Sequence, residues 1–227
     1  MDDKKIVLIG GMGEGLGGGV ANYFAAKNYK AIGLNRSSNR QVGKEIIQMN
    51  VDLSDQQQVE KAIAEIIESH GVPDVFIHTA AELFIAPLEK TSAAQFERCW
   101  RSGTMSAFLL SKELFPKMAE KGGVAIFTGA TASIRGGKHF SAFSAAKFAL
   151  RGLVQSLARQ YQSSGLHIAH ILVDGIIDTA KSRKLHALSA QKMMNPADMA
   201  ECFWHLSQQP KSAWTHELDL RPYLETF

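Results

Sequence analysis

The sequence predicts a single-domain, doubly wound α/β protein, a Rossmann-like parallel sheet with helices on both faces, and three observations carry that prediction. Apolar runs of strand length alternate with segments of helical period through most of the 227 residues. Successive strands are separated by connections of crossover length, which join strands in parallel rather than as hairpins. The first apolar run, Ile6 to Ile9, breaks into Gly10 to Gly19, where seven of ten residues are glycine, and Val20, Phe24 and Ala25 then recur on one helical face. That order reads as strand, phosphate loop, helix. Glycines let the backbone turn sharply and approach a ligand, and they leave amides at the helix N-terminus aimed at an anion.

Each later element follows from its own pattern. Lys30 to Asn35 is the second strand, Arg36 to Arg40 is a polar loop, and Glu45 to Val51 is the third strand. Ser54 or Asp55 caps a helix whose apolar face is Val59, Ile63, Ile66 and Ile67. Gly71, Val72 and Pro73 break the chain before a fourth strand, Asp74 to His78. From Ser92 to Lys117 the pattern is helical and apolar on more than one face, so this helix is expected to be covered on several sides. Gly122 and Gly123 precede the strand Val124 to Thr128, and a polar loop leads to a helix from Ser141 to Gln162. His167 to Val173 is a further strand. A Lys-rich segment follows to Asn195, then a helix from Pro196 to Gln208 and a short strand from Glu217 to Leu220.

Composition bounds the function. One core, residues 1–227, is expected, because nothing marks a second domain. The 25 basic and 22 acidic residues are interspersed, so the net charge of +3 forms no block that would select nucleic acid or an anionic membrane. Cys99 and Cys202 lie outside any metal or redox spacing and read as reduced thiols. The start of the chain carries no apolar leader and no run reaches the ~20 apolar residues of a membrane span, so a cytoplasmic protein is expected. No metal set is expected either. His167 and His170 share a strand but point to opposite faces.

Right-handed crossovers bring the loops after the strands to one edge, which gathers the glycine loop, Asn35 and Arg36, Asp52 and Leu53, His78 to Ala81, Thr128 to Ser133 and Asp174 to Thr179. An acidic residue at the end of the second strand would accept from a ribose 2′-hydroxyl and repel a 2′-phosphate. Here neutral Asn35 is followed by Arg36, so NADP(H) is the expected cofactor.

In these landmarks the chain resembles the short-chain dehydrogenase/reductase family over nearly its whole length. Gly11, Met12, Gly13, Glu14, Gly15, Leu16 and Gly17 look like its cofactor loop, with Gly10 where threonine is usual. Asp52 and Leu53 match the pair that meets the adenine, and His78, Thr79, Ala80 and Ala81 stand in place of Asn-Asn-Ala-Gly. Phe143-Ser-Ala-Ala-Lys147 occupies the place of Tyr-x-x-x-Lys, and Asp174 to Thr179, with Ile177, that of the Pro-Gly segment ending in threonine. The resemblance implies carbonyl/alcohol hydride transfer on a small-molecule substrate, with Lys147 on the nicotinamide ribose, and a homodimer or homotetramer paired through the two long helices.

The resemblance is weaker at the chemistry. The family's Asn, Ser, Tyr and Lys fall on Gly103, Ala130, Phe143 and Lys147, so only the lysine survives, and a wider Tyr–Lys spacing lands on Phe140. Phe143 has no hydroxyl to give or take a proton. Thr131, Ser133, His139 and Ser141 are the candidate replacements. Ser133, three residues past the serine place, is the leading one, against a plain turn role. Phe84, Phe140, Phe143, Met193 and Met194 line an apolar substrate pocket or fill core. The competing class is an NADP(H)-binding sensor or partner protein that has lost turnover. Trp214 to Phe227 departs from the family ending and carries no readable role.

Overall fold

The computed structural model describes residues 4–37 and 42–224. Within Arg36 to Arg40, positions 38–40 fall outside those residues, Arg40 included, as do 1–3, 41 and 225–227. Seven parallel strands form one sheet in the order β3-β2-β1-β4-β5-β6-β9. They are β1 (Ile6–Gly10), β2 (Lys30–Asn35), β3 (Ile47–Asn50), β4 (Val75–His78), β5 (Gly123–Thr128), β6 (Leu166–Val173) and β9 (Glu217–Leu220). The order reverses beside β1, and ligands of such sheets bind in the crevice at the strands' carboxyl ends at that switch point.

Side chains of β1 alternate between two apolar layers. Leu8 joins Ile32, Phe76, Phe115, Phe127 and Leu150 beneath α2 (Gln56–His70), α4 (Ser106–Lys121) and α5 (Ser141–Tyr161). Val7 and Ile9 join Val20, Phe24, Ile126, Ile171 and Phe203 beneath α1 (Leu16–Ala26) and α7 (Pro196–Ser207). Each fully covered side chain of this size stabilises the fold by roughly 1.5–3 kcal/mol.

The long helix expected from Ser92 to Lys117 is instead three pieces. Ser92 opens α3 (Ala93–Trp100) with a capping box, accepting from Gln95 N at 3.2 Å while Gln95 Oε1 accepts from Ser92 N at 2.8 Å. The turns then widen into a π segment, Arg101–Met105, around Gly103, before α4 begins. Pro116 lies inside α4, which runs on to Lys121. Proline removes one ladder donor there but does not end the helix. Asp55, not Ser54, caps α2, accepting from Gln58 N at 3.1 Å. β3 is shorter than the expected Glu45 to Val51.

Two regions near the C-terminus are ordered by pairing: one has no strand expectation, and in the other the strand expected at Glu217 to Leu220 forms as β9. Ile176–Ile177 (β7) pairs in parallel with Met193–Met194 (β8), with α6 (Ala180–Leu185) between them, and both methionines are buried, which favours their core reading. The C-terminal stretch from Trp214 builds the sheet edge. Trp214 stacks on His167 with ring centres 4.9 Å apart, and Glu217 binds Arg151 through two bonds of 2.7 and 2.8 Å. Among the described residues no helix is long and apolar enough to cross a membrane.

Candidate active site

At the carboxyl edge the glycine loop is shaped by contacts that leave no room for a side chain at Gly11 or Gly17. Gly11 has φ +97°, and a Cβ there would lie 2.5 Å from Ala80 N. A Cβ on Gly17 would lie 2.5 Å from Gly11 O and 3.0 Å from Thr79 Oγ1. Thr79 Oγ1 donates to Gly11 O at 2.7 Å, and Ala80 N to Gly10 O at 3.1 Å, so β4's loop holds the glycine loop in place. Met12 donates its amide to Leu34 O at 3.2 Å and turns its side chain into the core over Gly33, and Leu16 is buried at the start of α1. Across the cleft, a Cβ on Gly15 would meet Thr179 Cγ2 at 3.0 Å and Ile177 Cγ2 at 4.0 Å. Thr179 itself caps α6, accepting from Ser182 N at 3.0 Å.

These residues fit a dinucleotide. α1 starts without a side-chain cap, and although Gly18 N donates to Gly13 O at 2.9 Å, the amides of Leu16 and Gly17 have no bond among the described residues and suit an anion in the cradle at Gly15. At the end of β2, Asn35 Oδ1 is buried without a hydrogen-bond partner among the described residues, while its amide nitrogen donates to Ser37 O. Arg36 is exposed and forms no ion pair among the described residues. Asp52 Oδ1 accepts from Ser54 N at 2.9 Å and Ser54 Oγ at 2.7 Å, a turn that sets the start of α2, and Leu53 is buried behind it.

Lys147 lies at the other end of the edge. Only 3% exposed, it donates to Thr128 O at 2.7 Å, and its Nζ is 5.7 Å from the Phe143 ring centre. Burial pushes its ammonium down to about 8. Thr104 Oγ1 donates to Ala146 O at 2.8 Å and ties the π segment to α5, while a Cβ on Gly103 would meet only Ala146 Cβ, at 3.9 Å. A side chain at the place of the family's asparagine would therefore start in ordinary contact with α5 and without a clash. Phe143 and Phe140 lie 6.5 Å apart, and Phe84 packs on Cys99, Ala142 and Ala146.

The candidate proton carriers separate clearly. Ser133 is fully buried, and its Oγ accepts from Ala130 N at 3.1 Å. His139 is exposed at φ +70°, with its carbonyl accepting from Ala86 N at 3.0 Å, and Ser141 is exposed at the start of α5. Thr131, half-buried, donates its hydroxyl to Asp174 Oδ1.

Sequence reasoning missed two features. His78 is buried completely, and burial, with the Lys147 charge adding to it, pushes its imidazole down to about 3. Ser106 Oγ donates to Ser102 O at 2.5 Å, so at 2.8 Å it accepts from His78 Nε2–H, which leaves Nδ1 as the bare nitrogen. Arg221 reaches back to Asp174 Oδ2 at 3.2 Å. An Asp in place of proline was the available signal for the second. Among the described residues no three His, Cys, Asp or Glu side chains gather as a metal set.

The chain is 23% identical over 228 residues to an uncharacterized oxidoreductase of Staphylococcus aureus, covering 96% of this chain and 97% of that protein. A short-chain dehydrogenase structure from Rhodopseudomonas palustris superposes with TM-score 0.82 at 29% identity, covering 96% and 99% of the two chains. An alcohol dehydrogenase of the archaeon Thermococcus sibiricus, complexed with 5-hydroxy-NADP, gives TM-score 0.88 at 20% identity over 99% of both. The sequence model of the short chain dehydrogenase family matches residues 5–189, and with the glycine loop, the sheet order and Lys147 in place, this chain belongs to that family.

Proposed function

We propose that this protein is an NADP(H)-dependent oxidoreductase acting on a small, apolar carbonyl or alcohol. The observation that carries the reading is Lys147: a buried ammonium at the end of β5 whose one bond among the described residues is to Thr128 O, leaving donors for ribose hydroxyls. In this reading the glycine loop holds the pyrophosphate, Asn35 and Arg36 the adenosine ribose with its 2′-phosphate, Asp52 and Leu53 the adenine, and Thr79, Ala80, Ile177 and Thr179 the walls around the cofactor. When bound, the nicotinamide supplies or receives hydride. Apolar side chains exposed on the loops after β4 and β5 and beyond α6, among them Leu83, Ile85, Ile134 and Leu188, support an apolar substrate. A cytoplasmic homodimer or homotetramer belongs to the same reading.

A second reading, an NADP(H)-binding sensor without turnover, is favoured by one observation: Gly103, Ala130 and Phe143 bring no hydroxyl or side-chain amide to the site. Titrating NADPH and NADH by fluorescence, with NADPH consumption followed on diketones and quinones, separates the two. A charge-assisted bond from Arg36 contributes roughly 1.5–3 kcal/mol, so NADPH should bind about ten- to a hundredfold more tightly than NADH, and Arg36→Ala should remove the preference. A preference unchanged in that variant takes Arg36 out of the site. Tight NADPH binding without turnover of any carbonyl leaves the sensor.

A further inference from the structure

We propose that Thr131 and Asp174 are the proton relay of this site, with Arg221 as the residue that positions them; the proposal rests on the oxidoreductase reading above. Thr131 lies in the loop after β5, three residues beyond the carbonyl that holds Lys147. Its Oγ1 donates to Asp174 Oδ1. An ionised carboxylate only accepts, so the direction of this bond is fixed and the threonine lone pairs remain free to accept from a substrate hydroxyl.

Asp174 is held from a second side by the C-terminal segment. Arg221 Nη1 lies 3.2 Å from Asp174 Oδ2, and Arg221 Nη2 binds Asp219 Oδ2. Asp174 N donates to Leu220 O at 2.8 Å, and a Cβ on Gly175 would lie 2.7 Å from Pro222 Cδ, so the tail is seated directly against the start of this loop. The side chains of Asp174 and Arg221 are 14% and 18% exposed, which places the carboxylate at the edge rather than in the core.

The other hydroxyls and rings lack these features. Ser133 is sealed from solvent with its oxygen accepting from Ala130 N, while Ala130 and Phe143 carry no oxygen at the family's serine and tyrosine places. Thr131 alone among the four candidates joins partial exposure to a carboxylate that can take its proton.

In the alcohol direction the carbinol C–H bond breaks and its hydride reduces NADP⁺. The hydroxyl proton moves to Thr131 Oγ1 as the threonine's own proton moves to Asp174 Oδ1. Carbonyl and NADPH leave, and the Asp174 carboxylic acid returns its proton to water. Carbonyl reduction runs the same steps backwards.

The test uses the full chain. Thr131→Val and Asp174→Asn should each lower kcat about 10²- to 10³-fold with the NADPH dissociation constant within twofold of wild type, and Thr131→Ser should keep most of the activity. Formate should restore part of the turnover of Asp174→Ala, which a merely structural carboxylate would not allow. Arg221→Met should lower kcat about tenfold with KM unchanged, and Arg221→Lys should recover most of it. In ligand-free protein, denaturant unfolding of Thr131→Val, Asp174→Asn and the double variant should show coupling between the two positions. Wild-type turnover that survives Thr131→Val intact overturns the relay alone, and absent coupling removes the hydrogen bond it depends on. A wild type that binds NADPH but turns over no alcohol or carbonyl overturns the oxidoreductase reading and the relay with it.

Discussion

His78, His170 and Lys147 are three bases buried near one another behind the carboxyl edge, at 0%, 1% and 3% exposure. Desolvation is the largest influence on each, and the charge of Lys147 disfavours protonation of both histidines. Burial lowers His78 from 6.5 to about 3 and His170 from 6.5 to about 4. For a base with a depressed folded pKa the unfolded chain takes up the proton first, so stability is whole above 6.5 and falls as pH drops through the folded values. Lys147, lowered from 10.5 to about 8, works in the same direction at higher pH, so its buried charge already weighs on the fold at neutrality. Denaturant unfolding should therefore show stability lost steadily from pH 6.5 downwards. His78→Asn, which keeps a donor for Ser106 without a titrating ring, should flatten that loss by an amount on the order of a few kcal/mol. An unchanged pH dependence in the variant would shift the acid sensitivity onto His170. The histidine was legible in the sequence only as a substitution in a family motif. Its buried partner is Ser106, 28 residues away at the start of α4, and no local pattern carries that.

At the scale of elements, legibility follows how local the cause is. β1, the glycine loop and α1 are encoded within the single stretch Ile6 to Ala26, by an apolar run, backbone freedom and a helical face, and their order is read directly. The division of the Ser92 to Lys117 helix is not. Gly103 sits in a pattern whose hydrophobic period continues across it, and the widening is tied down by Thr104 reaching Ala146 on α5, a tertiary bond. The β7–β8 pair was similarly hidden, because two-residue strands owe their existence to partners distant in sequence, whereas the four residues of β9, Glu217 to Leu220, were legible as a short strand. The glycine loop supports a sharp prediction. A side chain at Gly17 would push on Gly11 O and Thr79 Oγ1, the atoms whose bond fixes the loop. Gly17→Val should leave circular dichroism unchanged and abolish the thermal shift produced by NADPH. A normal shift in that variant would reduce the loop to a connector.

For the whole molecule, the sheet is covered on both faces, but the helical layer that covers one of them is not itself fully covered. Phe96 on α3, Phe108 on α4 and Phe148 on α5 are 43%, 44% and 46% exposed, on three helices that neighbour one another. Scattered apolar residues at a surface need no explanation, yet large aromatics on adjacent helices resemble the covered core of a protein contact more than a solvated face. The many-sided apolar pattern of these helices in the sequence has the same origin: one side faces the sheet and another faces outward. A second copy of the chain is the occupant proposed here, since a two-fold contact sets the same patch against itself. Fully burying an exposed phenylalanine contributes roughly 1.5–3 kcal/mol, so completing the burial of one already about half covered contributes roughly half of that, and a two-fold contact counts each residue twice, so two charged replacements should dissociate the pair. Sedimentation velocity should show wild type as a dimer or tetramer and Phe108→Glu with Phe148→Glu as a monomer that keeps its circular dichroism and its NADPH affinity, because neither side chain belongs to the cofactor edge. A double variant that still sediments as an oligomer would place the contact on another face, and a monomeric wild type would leave these aromatics without a partner copy.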